Sequence, residues 1–384
     1  MTAQHDIIIV GAGVAGLRAA QCLIAAGRGV TLIESADRVG GRIATDQHDD
    51  FLVDRGFQLL NPAYPQLSHC VDMTSLDLRS AATAVRVATP SGFRVWGNPV
   101  SDARATGTVL GHLVTGLRAL PQLSSWAFRR PDRQEQRTTA TALRESSFPD
   151  SLRREIMEPF LRGALLDGDL ETPYAYTQLV LRTLVRARPG VPARGMGALP
   201  AAMCERLTPA TFCLSTPVTS VSATSVRTAE GELTAAVVID ARSIATAPAT
   251  HRVTTWWFAT PATHDRTVVL DGVGGRLLNA VDLAAVNPNY APKSRGLIAA
   301  SSLTGHDDEL IRHDVARLYG LATSDVELVV RHDIERALPR CAAVPARASK
   351  VVNGIITAGD TVATPSIQGA LASGADAAKR VLSL

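Results

Sequence analysis

The chain has 384 residues, 46% of them hydrophobic and 20% charged, a balance that suits a globular enzyme large enough for two domains. Its 39 basic and 36 acidic residues leave a formal charge of +3, too balanced to imply a nucleic-acid footprint, and no nucleic-acid partner is expected. Five scattered cysteines lack paired metal spacing and fit a reducing compartment, and no apolar run reaches the roughly 18 residues of a membrane span.

The opening MTAQHDIIIVG has no basic, cleavable leader and runs straight into a strand, so a cytoplasmic protein is expected. DIIIV (6–10) is apolar and β-branched, the composition of a central parallel strand. GAGVAG follows, with Gly11, Gly13 and Gly16 in the spacing G-x-G-x-x-G and Val14 and Ala15 between them, and then a helix that Gly27 or Gly29 ends. Gly11 suits a tight turn, Gly13 close approach to a pyrophosphate, and Gly16 close helix–strand packing, with the helix N-terminus facing negative charge. The second strand GVTLIES (29–35) ends in Glu34 and Ser35, where a carboxylate meets the hydroxyls of an adenosine ribose. Strand, glycine turn, helix, strand and acid together indicate dinucleotide binding without choosing between NAD and FAD.

Beyond the acid stand Gly40, Gly41 and Arg42, placed where Arg42 would pair with a phosphate. Asp46, His48, Asp49 and Asp50 read as a hairpin turn, and no metal is expected. FLVDRGFQLL (51–60) is an alternating strand interrupted at Asp54–Gly56. VLGHLVTGLRALPQLSSWAF (109–128) reads as an internal helix pair broken near Pro121, apolar enough to leave peripheral membrane contact open, and FRRPDRQEQR (128–137) as a solvated linker. Helical periodicity continues through DSLRREIMEPFLRGALL, strands are expected within 251–303, and a helix over 306–320. TAGDTVATPSIQGALASGADAAKRV (357–381) is an acidic turn leading into a helix of small residues.

IIIVGAGVAGL, VTLIESADRVGGR and FLVDRGFQLL, followed by RGMGALPAAMCERL (194–207), TPVTSVSATSVRTAEGE (216–232) and AGDTVATPSIQGALASGADAA, resemble the flavin-containing amine oxidase, protoporphyrinogen oxidase and phytoene desaturase superfamily. REIMEPFLRGALLDGDLET and NPNYAPKSRGLIAASSL look closer to its desaturase-like branch. The resemblance implies an α/β fold in which a Rossmann-like FAD-binding domain (1–70, 190–250 and 345–384) carries a discontinuous α+β substrate domain (71–189 and 251–344). It also implies non-covalent FAD, contacted by the 11–16 segment, Glu34, Ser35, Gly41, Arg42, Gly56, Phe57, the Val218 backbone, Gly359, Asp360, Ile367 and Ala370.

Flavin chemistry needs a helix N-terminus where negative charge develops, and PSIQGALASG offers one, with Pro365 in a first turn, Ser366 as cap, and backbone N–H groups at Gln368, Gly369 and Ala370. Family amine oxidases place a lysine on a substrate-domain strand. HRVTTWWF (251–258) resembles that strand and has Thr254 nearest the expected place, while Lys293 sits in a turn-like stretch. Ile367 and Gln368 stand where such oxidases carry an aromatic. Phe57, Trp256, Trp257, Phe258, Tyr174 and Tyr290 are candidate pocket residues, and alternation lets at most one of the paired tryptophans face a cavity. Phe57, Gln58, Trp257, Ile367 and Gln368 are the candidate catalytic neighbours, and Arg162 is a candidate partner for a substrate carboxylate or an internal ion pair. Cys341 lacks the setting of a covalent flavin link.

The expected activity is hydride transfer from an apolar, cyclic or conjugated small molecule to flavin N5, with oxygen or a quinone-like compound as acceptor. An amine oxidase with atypical residues, or a flavin-bound binding or isomerising protein without net redox turnover, are the alternatives.

Overall fold

A computed structural model describes residues 4–384 except 83, 91, 97–120, 130, 131, 133, 134, 243, 246, 248, 274, 346 and 347. Two sheets organise these residues. The first has eight strands, and the strand Gln4–Val10 lies inside it between Gly231–Asp240 and Val30–Ile33, parallel to both. Ile7 and Ile9 point to one face, where they meet the helices Val14–Ala25, Ala198–Cys204 and Ile367–Leu382. Ile8 and Val10 point to the other, against Val226, Ala235 and Val238. The period-2 alternation of the apolar half of the strand, 7–10, thus buries both faces. The right-hand edge is Thr211–Cys213, and the opposite edge is the antiparallel pair Val218–Val221 and Ser225–Thr228.

Ile355–Thr357 joins this sheet in parallel beside Ile239 and Asp240. The end of the chain is thereby returned to the glycine turn at its start. The C-terminal helix then crosses the N-terminal one so closely that a Cβ on Gly374 would collide with the Ala15 carbonyl oxygen. Only glycine permits that approach, and the small-residue composition of the helix has its reason here.

The second sheet has seven strands, all drawn from 85–96 and 250–339. Its centre is the long antiparallel pairing of Thr250–Pro261 with Arg295–Ser302 on one side and Glu327–Pro339 on the other. The helix Asp308–Tyr319 covers one face, where Trp256 and Phe258 are buried. The other face carries Trp257, and toward the Val85 and Val268 edge it is covered by helical segments from within 121–186. The architecture is the expected mixed α/β one, a Rossmann-like arrangement beside a separate region of helices and sheet. The apolar segment 109–128 falls mainly outside the described residues; among those described, no helix is long and apolar enough to cross a membrane.

Candidate functional site

The glycine turn fits its expected geometry. Gly11 adopts φ 102°, a conformation that favours glycine, and its N–H donates to the Ile33 carbonyl at 2.7 Å. Gly13 caps the helix, and nothing lies within 4 Å of where its Cβ would be, so the space before the helix N-terminus is open. A Cβ at Gly16 would strike the Gly11 carbonyl oxygen. Glu34 closes the turn from the next strand, its carboxylate accepting from the Ala12 N–H at 2.8 Å and the Ala36 N–H at 3.0 Å, while the Ser35 hydroxyl donates to it at 3.1 Å. Gly40 donates to the Ala12 carbonyl, which lays the 40–41 turn over Gly13. At the antiparallel edge, the Val218 carbonyl accepts from Arg242 at 3.0 Å.

The two ends of the chain meet at Arg42 and Asp360. The Arg42 guanidinium reaches both carboxylate oxygens, at 2.6 and 2.7 Å, and donates to the Ala337 carbonyl at 2.8 Å. Asp360 is only 4% exposed, so this pair is strongly held. The neighbouring Gly359 N–H donates to Ser373 Oγ of the C-terminal helix at 2.6 Å. Gln58 contributes a long 3.4 Å bond to the Arg42 carbonyl.

The helix cap differs from expectation in detail. Ser366 is the cap, but Pro365 precedes it and lies outside the first turn, its carbonyl taking the Tyr176 hydroxyl at 2.6 Å. Ser366 Oγ accepts from the Gly369 N–H, and the Ser366 carbonyl accepts from the Ala370 N–H. These two N–H groups are therefore committed within the helix, and the outward-facing ones belong to Ile367 and Gln368. The Gln368 side chain is also engaged, its Oε1 accepting from the Gln66 N–H at 3.0 Å.

Of the candidate pocket aromatics, the structure joins Phe57, Trp257 and Tyr290 in one cluster and sends the others elsewhere. Trp257 is fully buried, and its Nε1 has no hydrogen-bond partner among the described residues. Trp256 and Phe258 face the covering helix, with Trp256 Nε1 donating to Asp308 at 2.7 Å. Tyr174 packs into the helical region, edge-on to Trp126 and under Arg137. Thr254 is buried and donates to Asp333 at 2.7 Å, and Lys293 is exposed. Arg162 is an exposed residue 4.0 Å from Glu158 and lines a surface cavity of about 610 Å³ with Arg154 and Arg276. A dry carboxylate-binding setting for Arg162 is not what the fold provides.

Two groups were not singled out from sequence. Asp54, buried where the expected strand interruption begins, accepts from Thr45 Oγ1 (2.5 Å), the Met196 N–H (2.9 Å) and the Tyr290 hydroxyl (2.6 Å). Burial pushes its carboxyl up to about 6 despite these donors. Thr45 in turn accepts from the Gly197 N–H at 2.8 Å, which locks the RGMG turn onto the hairpin. The other is Tyr176, whose phenol burial raises well above its ordinary value, with Tyr64, Cys341 and Asp360 adding to the effect. The Asp-Arg-Gly interruption was the only sequence signal for Asp54; Tyr176 had none, because its partner Pro365 is 189 residues away.

Comparison with known proteins agrees with this geometry. The family described as flavin containing amine oxidoreductase matches residues 14–265, well over half of the chain. Putrescine oxidase of Kocuria rosea is 42% identical over 74 residues, 19% of this chain and 16% of that protein. The chloroplastic protoporphyrinogen oxidase of Nicotiana tabacum is 39% identical over 70 residues, 18% of this chain and 13% of that one. Both matches therefore span less than a fifth of the relative's length. Among solved structures, an oxidoreductase from Methanosarcina mazei superposes with a TM-score of 0.75 at 16% identity, covering 99% of this chain and 100% of the other. Cyclohexylamine oxidase from Brevibacterium oxydans IH-35A gives 0.72 at 17% identity, covering 99% of each chain. At such identities the likeness is one of fold. With the glycine turn, the acid-ended strand and the returning C-terminal helix in place, and the family match over residues 14–265, the chain belongs to the flavin containing amine oxidoreductase family.

Proposed function

We propose that this chain binds FAD non-covalently and removes hydride from a C–H bond of a small apolar, cyclic or conjugated substrate. The observation that carries the reading is the Arg42–Asp360 pair, which joins the approach to the glycine turn to the start of the C-terminal helix beside the open space at Gly13. FAD, when bound, supplies the hydride-accepting N5 and passes the electrons to oxygen or a quinone-like acceptor. Sheet membership supports assigning 1–70, 190–250 and 345–384 to the cofactor unit and 71–189 and 251–344 to the substrate unit.

In this reading the backbone of Gly11, Gly13, Val14, Ala15 and Gly16 receives the pyrophosphate, and Glu34 and Ser35 face the ribose through lone pairs their internal bonds leave available. Val218 borders the adenine. Gly41 and Arg42 lie on the phosphate side, and Gly56, Phe57, Gly359, Asp360, Ile367 and Ala370 on the flavin half. The Ile367 and Gln368 N–H groups, at the positive end of a helix, stabilise negative charge developing on a bound ring. Phe57 and Trp257 exclude water from the reacting side, and Gln58 holds the Arg42 segment.

The lack of a lysine on the Thr250–Pro261 strand, with the Thr254 hydroxyl committed to Asp333, supports hydride removal governed by pocket shape over amine oxidation. Burial pushes the Cys341 thiol up to about 11, and the protonated thiol is a poor nucleophile, which supports non-covalent retention.

The visible spectrum of the purified protein, before and after denaturation, tests the cofactor; a colourless protein that takes up no added FAD overturns the reading. Anaerobic mixing with simple amines and with apolar cyclic or polyene compounds tests the substrate class. Bleaching by the apolar set supports it. Bleaching by amines at catalytic rates replaces it with the amine oxidation that the family's description favours, and no bleaching by either points to a flavin-bound protein without redox turnover.

A further inference from the structure

The Thr45–His48 and Phe51–Asp54 hairpin touches the second sheet at a point the sequence does not reveal. Asp46 and His48 are two residues apart on one strand and so share a face. His332 comes from the Glu327–Pro339 edge strand of the other sheet, opposite Thr255. One ligating atom from each of Asp46, His48 and His332 lies within 4.8 Å of the other two. All three residues are half-buried. His332 Nδ1 is enclosed and makes no hydrogen bond of normal geometry among the described residues, although the ring lies against the Asp54 backbone.

Asp46 is oriented from behind by Arg55, through Nε to Oδ2 at 2.6 Å and a second guanidinium nitrogen to Oδ1 at 3.1 Å. Each carboxylate oxygen keeps a further lone pair. A surface cavity of about 330 Å³ is bordered by His48 and opens the hairpin end of the cluster to solvent.

We propose that Asp46, His48 and His332 form a binding site for a divalent transition-metal cation, zinc foremost, which pins the hairpin of the first region to the edge strand of the second. Two imidazoles and one carboxylate suit zinc, with a water completing the tetrahedron. Calcium and magnesium, which take mostly oxygen ligands, are poorly served by the same set. The Arg55 charge weakens binding relative to an all-neutral surround while fixing the carboxylate's direction. Because the hairpin runs on into Asp54 and Phe57, the ion would brace the strand on which the buried Asp54 network stands. This site is independent of the flavin chemistry.

The test uses the full chain without an affinity tag, stripped by a chelator and titrated with zinc alone by calorimetry and thermal melting. One zinc per chain, a raised melting temperature and no response to magnesium are expected. His48→Ala and His332→Ala should each weaken zinc binding by at least about tenfold. His48 lies in a surface hairpin, so His48→Ala should melt like the wild type without zinc and still lose the zinc-induced rise. Failure of the wild type to take up zinc, or uptake unchanged in both variants, overturns the site.

Discussion

Tyr290→Phe removes a single oxygen from the centre of the Asp54 network. The hydroxyl donates to Asp54 Oδ2 at 2.6 Å, while the Thr45 and Met196 donors both reach Oδ1. Without it, one carboxylate oxygen of a nearly fully buried residue loses its protein donor. A hydrogen bond to a charged acceptor is worth about 1.5–3 kcal/mol, and a neutral pair about 1 kcal/mol.

Protonation decides which value applies. The Asp54 carboxyl stands at about 6 in the fold against an ordinary 3.8, so folding favours the protonated form. Its contribution is fully present below the unfolded value and is lost as pH rises through about 6. Above that pH the Tyr290 hydroxyl supports a buried charge, and the Tyr290 phenol, itself pushed well above its ordinary value, remains a donor. For a chain of 384 residues the variant should therefore melt about 2–4 °C below the wild type near pH 8, and about 1 °C below it near pH 5. Scanning calorimetry or far-UV circular dichroism at both pH values reads the shift. Equal shifts at the two, or none at the higher pH, would refute the view that Tyr290 stabilises an ionised Asp54.

Gly374→Ala should destabilise the fold by about 1–3 kcal/mol through overpacking against the Ala15 carbonyl, outweighing a helix-propensity gain of about 1 kcal/mol; an unchanged or raised melting temperature would contradict the close crossing. Asp360→Asn keeps the side-chain shape but breaks the charge pairing with Arg42. FAD affinity, followed by the flavin-to-protein absorbance ratio after dialysis, should fall by about tenfold or more, and retention equal to the wild type would remove Asp360 from the cofactor's support.

Much of the cofactor-side framework was legible because its signals are local. An apolar β-branched run, three glycines at fixed spacing and a strand ending in Glu34 specify strand, turn and helix within about 30 residues. The Ser366 cap and the Ala- and Gly-rich helix are likewise legible in the last stretch of the chain, although the folded geometry alone shows that Gly369 and Ala370 spend their N–H groups inside the helix. Alternation limited the paired tryptophans to one inward face. It took the covering helix Asp308–Tyr319 to decide that Trp256 is the one turned away and Trp257 the one beside Phe57.

Sequence by itself determined where the glycine turn, its acid and the closing helix lie, because hydrogen-bond geometry and side-chain period act over a few residues. Tertiary structure alone decided which distant groups meet: Arg42 with Asp360, Tyr290 with Asp54, Tyr176 with Pro365, and His332 with the Asp46–His48 hairpin. Those meetings depend on how two sheets and their crossing helices pack, because a buried polar group is satisfied only by whatever the packing brings within hydrogen-bond reach.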